Sequence, residues 1–378
     1  MTSAGQTDTT TETGSEYRIR RFEPGDREAF LGLYETVFGN QATGEWFDWK
    51  FRDTPAVDHV PMFVAEHDDE LVGTRPYMAV ELDTGHRSLL GIQTCETMVH
   101  PDHRRNGLFT RMTDRSFDFY GDREEPVVMF SIPNAISRPG YLTLDCAVVG
   151  QLPIDYRIQQ LDSMVGDGTA DRVASAAQPA VRLYNAARDR ITAPTIEPDI
   201  DVTRHDELPI ARLAGLYERA APNRIHAART EAFYQWRFAN PDWSYRAYTA
   251  ARDGEPIAAV VTGHQRSGET TQVRLTEVLP LLGGDRVRPE LTALLSRILE
   301  DFGDADLVAA SGEAIPRDLL TAFGFHGDDR LPLSRVTTPT VLIAKLLDGH
   351  ADTQWLLDGH DLEDPTSWRL SFSEHNTS

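Results

Sequence analysis

The chain repeats itself, and that repeat limits its fold more than any other feature of the sequence. Residues 45–51, EWFDWKF, return as 231–238, EAFYQWRF, so that Trp49-Lys50-Phe51 answers Trp236-Arg237-Phe238. FVAEHDDELVG (63–73) answers YTAARDGEPIA (248–258), and TMVHP (97–101) answers TEVLP (276–280). NAISRPGYLTLDC (134–146) lines up with EAIPRDLLTAFGF (313–325). Four matches in one order, at nearly constant offset, describe two divergent copies of one domain. The chain of 378 residues divides accordingly. We expect a disordered tail over 1–15, a first domain over 16–160 and a linker with a helix over 161–198. A second domain then spans 199–347, and an acidic C-terminal tail with Trp355 and Trp368 as docking anchors follows over 348–378.

Each copy carries the same coarse elements. In the first, YRIRRF reads as a strand and GDREAFLGLYETVF has apolar residues at helical spacing. A short Trp-containing helix falls at 44–52, and residues 61–82 form two apolar runs around an acidic turn, a hairpin. A strand at 89–99 leads into a helix at 107–120, with Leu108, Phe109, Met112, Phe119 and Tyr120 on one face. PVVMFSI is a buried strand, a short helix spans 135–144, and 147–158 closes the sheet. The fold class is α+β: two tandem domains, each a mixed, mostly antiparallel sheet flanked by helices.

Charge narrows the partners. The chain has 59 acidic and 37 basic residues, a net charge of −22, and Lys50 and Lys345 are its two lysines. Acid spread along the chain with lysine nearly absent fits a halophile-like, high-salt cytoplasm, where salt screens the repulsion. It argues against nucleic acid, which needs a basic footprint. No apolar run of about 18 residues predicts a membrane span, and the polar N-terminus lacks a secretory h-region. Cys95 and Cys146 read as reduced core thiols of a cytoplasmic protein. His100 and His103 flank Asp102 without a third ligand in reach, so no metal is assigned.

Against this acidic background stands HRRNG at 103–107, between a strand and a helix. A strand that turns through Arg-Arg-Asn-Gly into a helix N-terminus aims backbone N–H groups and guanidinium donors at one point, an anion site. The stretch Val99-His100-Pro101, then Arg104-Arg105-Asn106-Gly107-Leu108-Phe109, resembles the signature of the GNAT superfamily of N-acetyltransferases. Asn134 and Tyr141 stand where that family carries an Asn and a Tyr, although Phe109 replaces a small residue, and Asp145 and Cys146 replace a Gly-Phe pair. The second copy has PLLGGDRVRPEL at the turn and Leu320 at the tyrosine, so one copy is expected to be catalytic.

The resemblance implies transfer of an acetyl group from acetyl-CoA to a primary amine, whose identity the sequence leaves open, as it does the oligomeric state. Residues 104–109 would hold the pyrophosphate, with Asn134 beside them, and a backbone N–H of Met98 or Val99 would meet the acyl oxygen. Tyr141 would protonate the leaving thiolate, and Glu96 or an ordered water would take the amine's proton. Two other readings stay open: a non-catalytic acyl-CoA-binding or regulatory protein, and an aminoacyl-tRNA-dependent peptide transferase of tandem build. On this view the second copy walls the acceptor cleft, and the first alone binds acetyl-CoA.

Overall fold

The structure, a computed structural model, describes residues 17–160, 197–268, 270–331, 333–335, 337–349 and 355–376. The tail expected over 1–15 and the linker helix expected within 161–198 lie outside the described residues, apart from 197 and 198.

The first copy runs β1 (Arg18–Arg21), α1 (Arg27–Phe38), α2 (Gly44–Phe47), β2 (Met62–His67), β3 (Glu70–Asp83), β4 (Ser88–Thr94) and β5 (Met98–Val99). After these come α3 (Leu108–Gly121), β6 (Val127–Ser131), α4 (Arg138–Leu142), β7 (Ala147–Gln151) and β8 (Ile154–Ile158). Helix α3 forms because Leu108, Met112, Ser116 and Tyr120 recur every fourth residue and are all buried. Phe117 is buried with them, whereas the expected Phe119 is half-buried and packs beneath the Arg21 guanidinium. The turn between β2 and β3 is made by Asp68 and Asp69 at positive φ, which Asp tolerates better than most residues.

The second copy repeats the order with β9 (Asp201–His205), α5 (Ile210–Glu218), β10 (His226–Ala227), α6 (Glu231–Arg237), β11 (Ser244–Arg252), β12 (Glu255–Ser267) and β13 (Thr270–Leu279). It continues with α7 (Arg288–Asp301), β14 (Leu307–Ser311), α8 (Arg317–Ala322), β15 (His326–Gly327) and β16 (Val341–Leu347).

The sheets show how the copies are joined. One sheet has the order β1-β2-β3-β4-β6-β16-β7, with β5 and β10 also pairing β3; the other is β15-β8-β14-β13-β12-β11-β9. Within these orders only β4–β6 and β13–β14 run parallel. The last strand of each copy is therefore exchanged. Strand β16 of the second copy lies between β6 and β7 of the first, with Ala344 opposite Phe130 on one side and Ala147 on the other. Strand β8 of the first copy lies between β14 and β15 of the second, with Tyr156 opposite Ala309 and His326. The expectation that 147–158 closes one sheet is corrected: 147–151 stays, and 154–158 crosses. An apolar strand run reports burial, not which sheet receives it.

The interface is built by the matched Trp segments. Trp49 and Trp236 stack with ring centroids 6.3 Å apart, and each indole N–H donates to the other's backbone carbonyl. The C-terminal segment wedges beside them. Trp368 packs against Phe130, and Arg237 donates to the carbonyls of Ser373, Phe372 and His375. Arg229 is wholly buried between Glu277 (2.9 Å) and Glu374, both also buried. Burial favours the neutral acid at both carboxyls; at Glu374 the Arg229 guanidinium outweighs it and holds the carboxyl below its usual range. Residues 367–375 of the C-terminal segment are thus buried in the core, whereas 363–366 just before them are exposed.

Both lysines also have fixed places. Lys50 is fully buried, with Nζ 2.6 Å from Glu96 Oε1 and 5.0 Å from the Trp46 ring centroid. Lys345 donates to the Leu144 carbonyl at 2.6 Å, over the Phe117 ring.

Candidate active site

Two parallel strands that part company make the site. β4 and β6 pair as far as Gln93 and Phe130, and the hydroxyls of Thr94 and Ser131 bond across the point of divergence. Beyond it the backbone kinks at Glu96, whose φ is 30°, and β5 returns to β3 alone, with Met98 opposite Thr74 and Val99 opposite Gly73. The kink leaves a cleft between 98–99 and the chain after Ser131. His100 N–H donates to the Val72 carbonyl of β3. Since successive peptide groups of a strand face opposite edges, the Val99 N–H faces the cleft side. Of the two expected amides, Met98 and Val99, the geometry turns Val99's outward. Its carbonyl, on the same edge, accepts from Arg104 Nε at 3.2 Å.

The turn that follows is open to an anion. Arg105 and Gly107 sit at φ 68° and 69°, and nothing lies within 4 Å of a Cβ built on Gly107. The first intrahelical bond of α3 is Arg111 N–H to the Gly107 carbonyl, so the amides of Leu108, Phe109 and Thr110 precede it, and no side chain caps them. Arg104 and Arg105 are exposed and form no ion pair among the described residues. Asn106 braces the turn, its amide donating to Tyr17 Oη at 2.9 Å and the His103 carbonyl at 3.1 Å. Leu108 is buried against Met112 and Val72. The bulky Phe109 turns toward α4: its ring meets Tyr141 edge-on at 5.4 Å, and a Cβ on Gly140 would fall 2.9 Å from it.

Tyr141, on α4, is 4% exposed. Its hydroxyl donates to Thr94 Oγ1 at 2.9 Å and accepts from Arg75 Nη1 at 2.8 Å. Arg75, on β3, is the site residue that the sequence reading missed. It is fully buried, bonds Thr97 Oγ1 at 2.5 Å and Tyr77 Oη at 3.3 Å, and leaves Nη2 without a partner among the described residues. No carboxylate pairs it among the described residues. The guanidinium, 2.8 Å from the phenol oxygen, fixes the position of the Tyr141 hydroxyl.

The structure does not join the other expected residues to this cluster. Glu96 sits at the kink with Oε1 held by Lys50, while its Oε2 is buried without a partner; it shares no hydrogen bond with Tyr141. Asn134 is exposed, and its Oδ1 accepts from the amides of Ile136 and Ser137 at 3.0 and 2.9 Å, capping the turn into α4. His103 meets Tyr17 Oη at 3.1 Å, and no cluster able to hold a metal occurs among the described residues. In the second copy β13 runs unbroken where β4 and β5 are split, and Leu320 is buried at the tyrosine position.

The acetyltransferase (GNAT) domain family matches residues 18–149, the stretch that carries the kinked strand, the open turn and Tyr141. This stretch, about a third of the chain, is similar to the GNAT domain. In solved structures the likeness of fold covers 88–89% of the chain. A conserved protein of unknown function from Enterococcus faecalis, described as a probable N-acyltransferase, aligns with a TM-score of 0.62 at 9% identity, covering 88% of this chain and 73% of its own. A GCN5-related N-acetyltransferase from Kribbella flavida aligns at 0.55 with 17% identity, covering 88% and 71%. A tandem GNAT protein from the clavulanic acid biosynthesis pathway aligns at 0.53 with 13% identity, covering 89% of this chain and 100% of its own. At these identities the likeness is one of fold, two GNAT-like domains in tandem. A search of curated proteins returns no match.

Proposed function

We propose that the chain is an acyl-CoA-dependent N-acyltransferase that moves an acetyl group from acetyl-CoA to a primary amine, using the first copy. The observation that carries this reading is Tyr141, its hydroxyl bonded to Arg75 and Thr94 at the mouth of the β4–β6 divergence. The residues present fit the CoA group: an uncapped helix N-terminus, two arginines without acidic partners among the described residues and clear space at Gly107. Acetyl-CoA, when bound, supplies an activated acyl carbon and a thiolate leaving group. Arg104, Arg105 and the amides of 107–109 hold pyrophosphate charge. Val99 N–H is the donor for an acyl oxygen. Tyr141 Oη holds the proton that a leaving sulfur needs, and Arg75 keeps that oxygen oriented. Glu96 offers Oε2 alone to the amine's proton, because Oε1 is held by Lys50.

Calorimetry with acetyl-CoA on the intact chain tests the reading. One site per chain is expected, lost in Gly107→Asp, where a carboxylate would face the pyrophosphate. Two equivalent sites, or unchanged affinity in the variant, would overturn it.

The net charge of −22 supports a further part of the reading, work in a high-salt cytoplasm without a nucleic-acid partner. No described helix is long and apolar enough to cross a membrane. The thermal midpoint should climb from low to molar KCl as the screening length falls toward about 3 Å. A flat profile would remove the high-salt assignment.

A further inference from the structure

Beside the divergence point lies a cavity of about 270 Å³ with walls from both copies. Thr94 and Ile132 come from the first copy, Tyr156 from the exchanged strand β8, Arg274 from β13, and Phe372 and His375 from the C-terminal segment. Thr94 is the residue that accepts the Tyr141 hydrogen bond, so the cavity comes within one side chain of that hydroxyl.

Arg274 is the one charged side chain lining the cavity. It lies over the Trp243 ring at 4.4 Å and the Phe372 ring at 5.3 Å, which holds it in place. Its Nε and Nη1 are buried and meet no hydrogen-bond acceptor among the described residues. No carboxylate lines the cavity to balance it. His375, 8% exposed, also lacks a partner at Nε2. Burial, and after it the charge of Arg274, lower the His375 pKa to about 4, so this ring is neutral near pH 7.

A desolvated guanidinium without a counter-charge is costly, and its unmade hydrogen bonds add to that cost. An anionic ligand removes both costs. One cation among aromatic and aliphatic walls matches one negative charge; a doubly charged phosphate would leave one charge unbalanced there. We propose that the amine accepted by this site also carries a carboxylate, which Arg274 binds in the cavity between the two copies. This rests on the acyltransferase reading and adds the acceptor's class to it.

The test measures CoA-thiol release from acetyl-CoA with matched acceptors: glycine, β-alanine, 4-aminobutyrate and lysine, each against its carboxamide. The intact chain should prefer at least one acid over its amide by about tenfold or more in kcat/KM, since one buried charge pair decides between them. Arg274→Met should erase that preference while acetyl-CoA affinity by calorimetry stays unchanged. Arg274→Lys, which keeps the charge, should restore part of the preference. Amides used as well as acids, a preference that survives in Arg274→Met, or no turnover of any acid by a chain that binds acetyl-CoA would each overturn the inference. Failure to bind acetyl-CoA at all would instead strike the acyltransferase reading.

Discussion

Trp49 Nε1 donates to the Trp236 carbonyl at 2.8 Å, and Trp236 Nε1 donates to the Trp49 carbonyl at 2.7 Å. These are corresponding residues of the two copies, so the bond pair is a local two-fold axis written in one chain. Trp236→Phe keeps an aromatic ring but leaves the Trp49 carbonyl without its donor in a buried place. We expect a loss of about 1–3 kcal/mol from that group alone. The double variant Trp49→Phe/Trp236→Phe should cost less than the sum of the singles, because the rings touch. Urea unfolding midpoints of the three variants check both statements.

Strand exchange changes what a fragment can do. Residues 1–160 would keep β8 without β14 to pair it, and would lack β16 between β6 and β7. Two sheet edges would then stand open, which invites aggregation. We expect this fragment to be insoluble or to self-associate, unlike the intact chain. Size-exclusion chromatography of the fragment beside the intact chain decides. A monomeric, cooperatively folded fragment would contradict the exchange.

Tyr141→Phe should lower kcat by about 10²–10⁴ while changing the KM for acetyl-CoA far less, as for loss of a general acid. Because the hydroxyl also accepts from Arg75, the variant should lose roughly 1–3 kcal/mol of stability. Steady-state kinetics across pH, with a thermal melt as control, separates the two effects. A rate within about twofold of the wild type would return Tyr141 to a packing role.

Acid should destabilise the chain through two buried imidazoles. Burial lowers His226 to about 4, helped by the Arg229 charge, and lowers His375 to about 4, helped by Arg274. Unfolded, each takes up a proton near pH 6.5, so the unfolded state binds more protons between pH 6.5 and 4. Stability should therefore fall as pH drops through that window, on the order of 3 kcal/mol per imidazole, and be insensitive to these groups above it. Denaturant midpoints from pH 7.5 to 4.5, for the intact chain and for His375→Gln, measure the slope and its reduction.

Much of this was legible in the residues. The hairpin around Asp68-Asp69, the stripe Leu108-Met112-Tyr120 and the Trp segments carry local periodicity that decides structure without distant help. The open turn at 104–107 was legible for the same reason, since its chemistry lies in consecutive residues. What escaped the sequence depends on partners far along the chain. Glu96 read as a candidate base, and nothing near it in sequence names its counter-ion, Lys50, which is 46 residues away. Arg75 looked like one polar residue in a hairpin strand, and nothing local marks it as buried beneath Tyr141. The C-terminal segment read as an acidic tail docked by its tryptophans; Arg369 and Glu374 within it bond Glu313, the Leu281 carbonyl and Arg229, all at least 56 residues away.

The placement of the two lysines has a chemical consequence. One ε-amine is sealed against Glu96 and the other is engaged with the Leu144 carbonyl. Neither lysine is presented freely to solvent. Amine-reactive reagents should accordingly reach Lys50 and Lys345 slowly in the folded chain and faster when it unfolds. The same chemistry gives a covalent clock for opening of the interface, read by mass at Lys50.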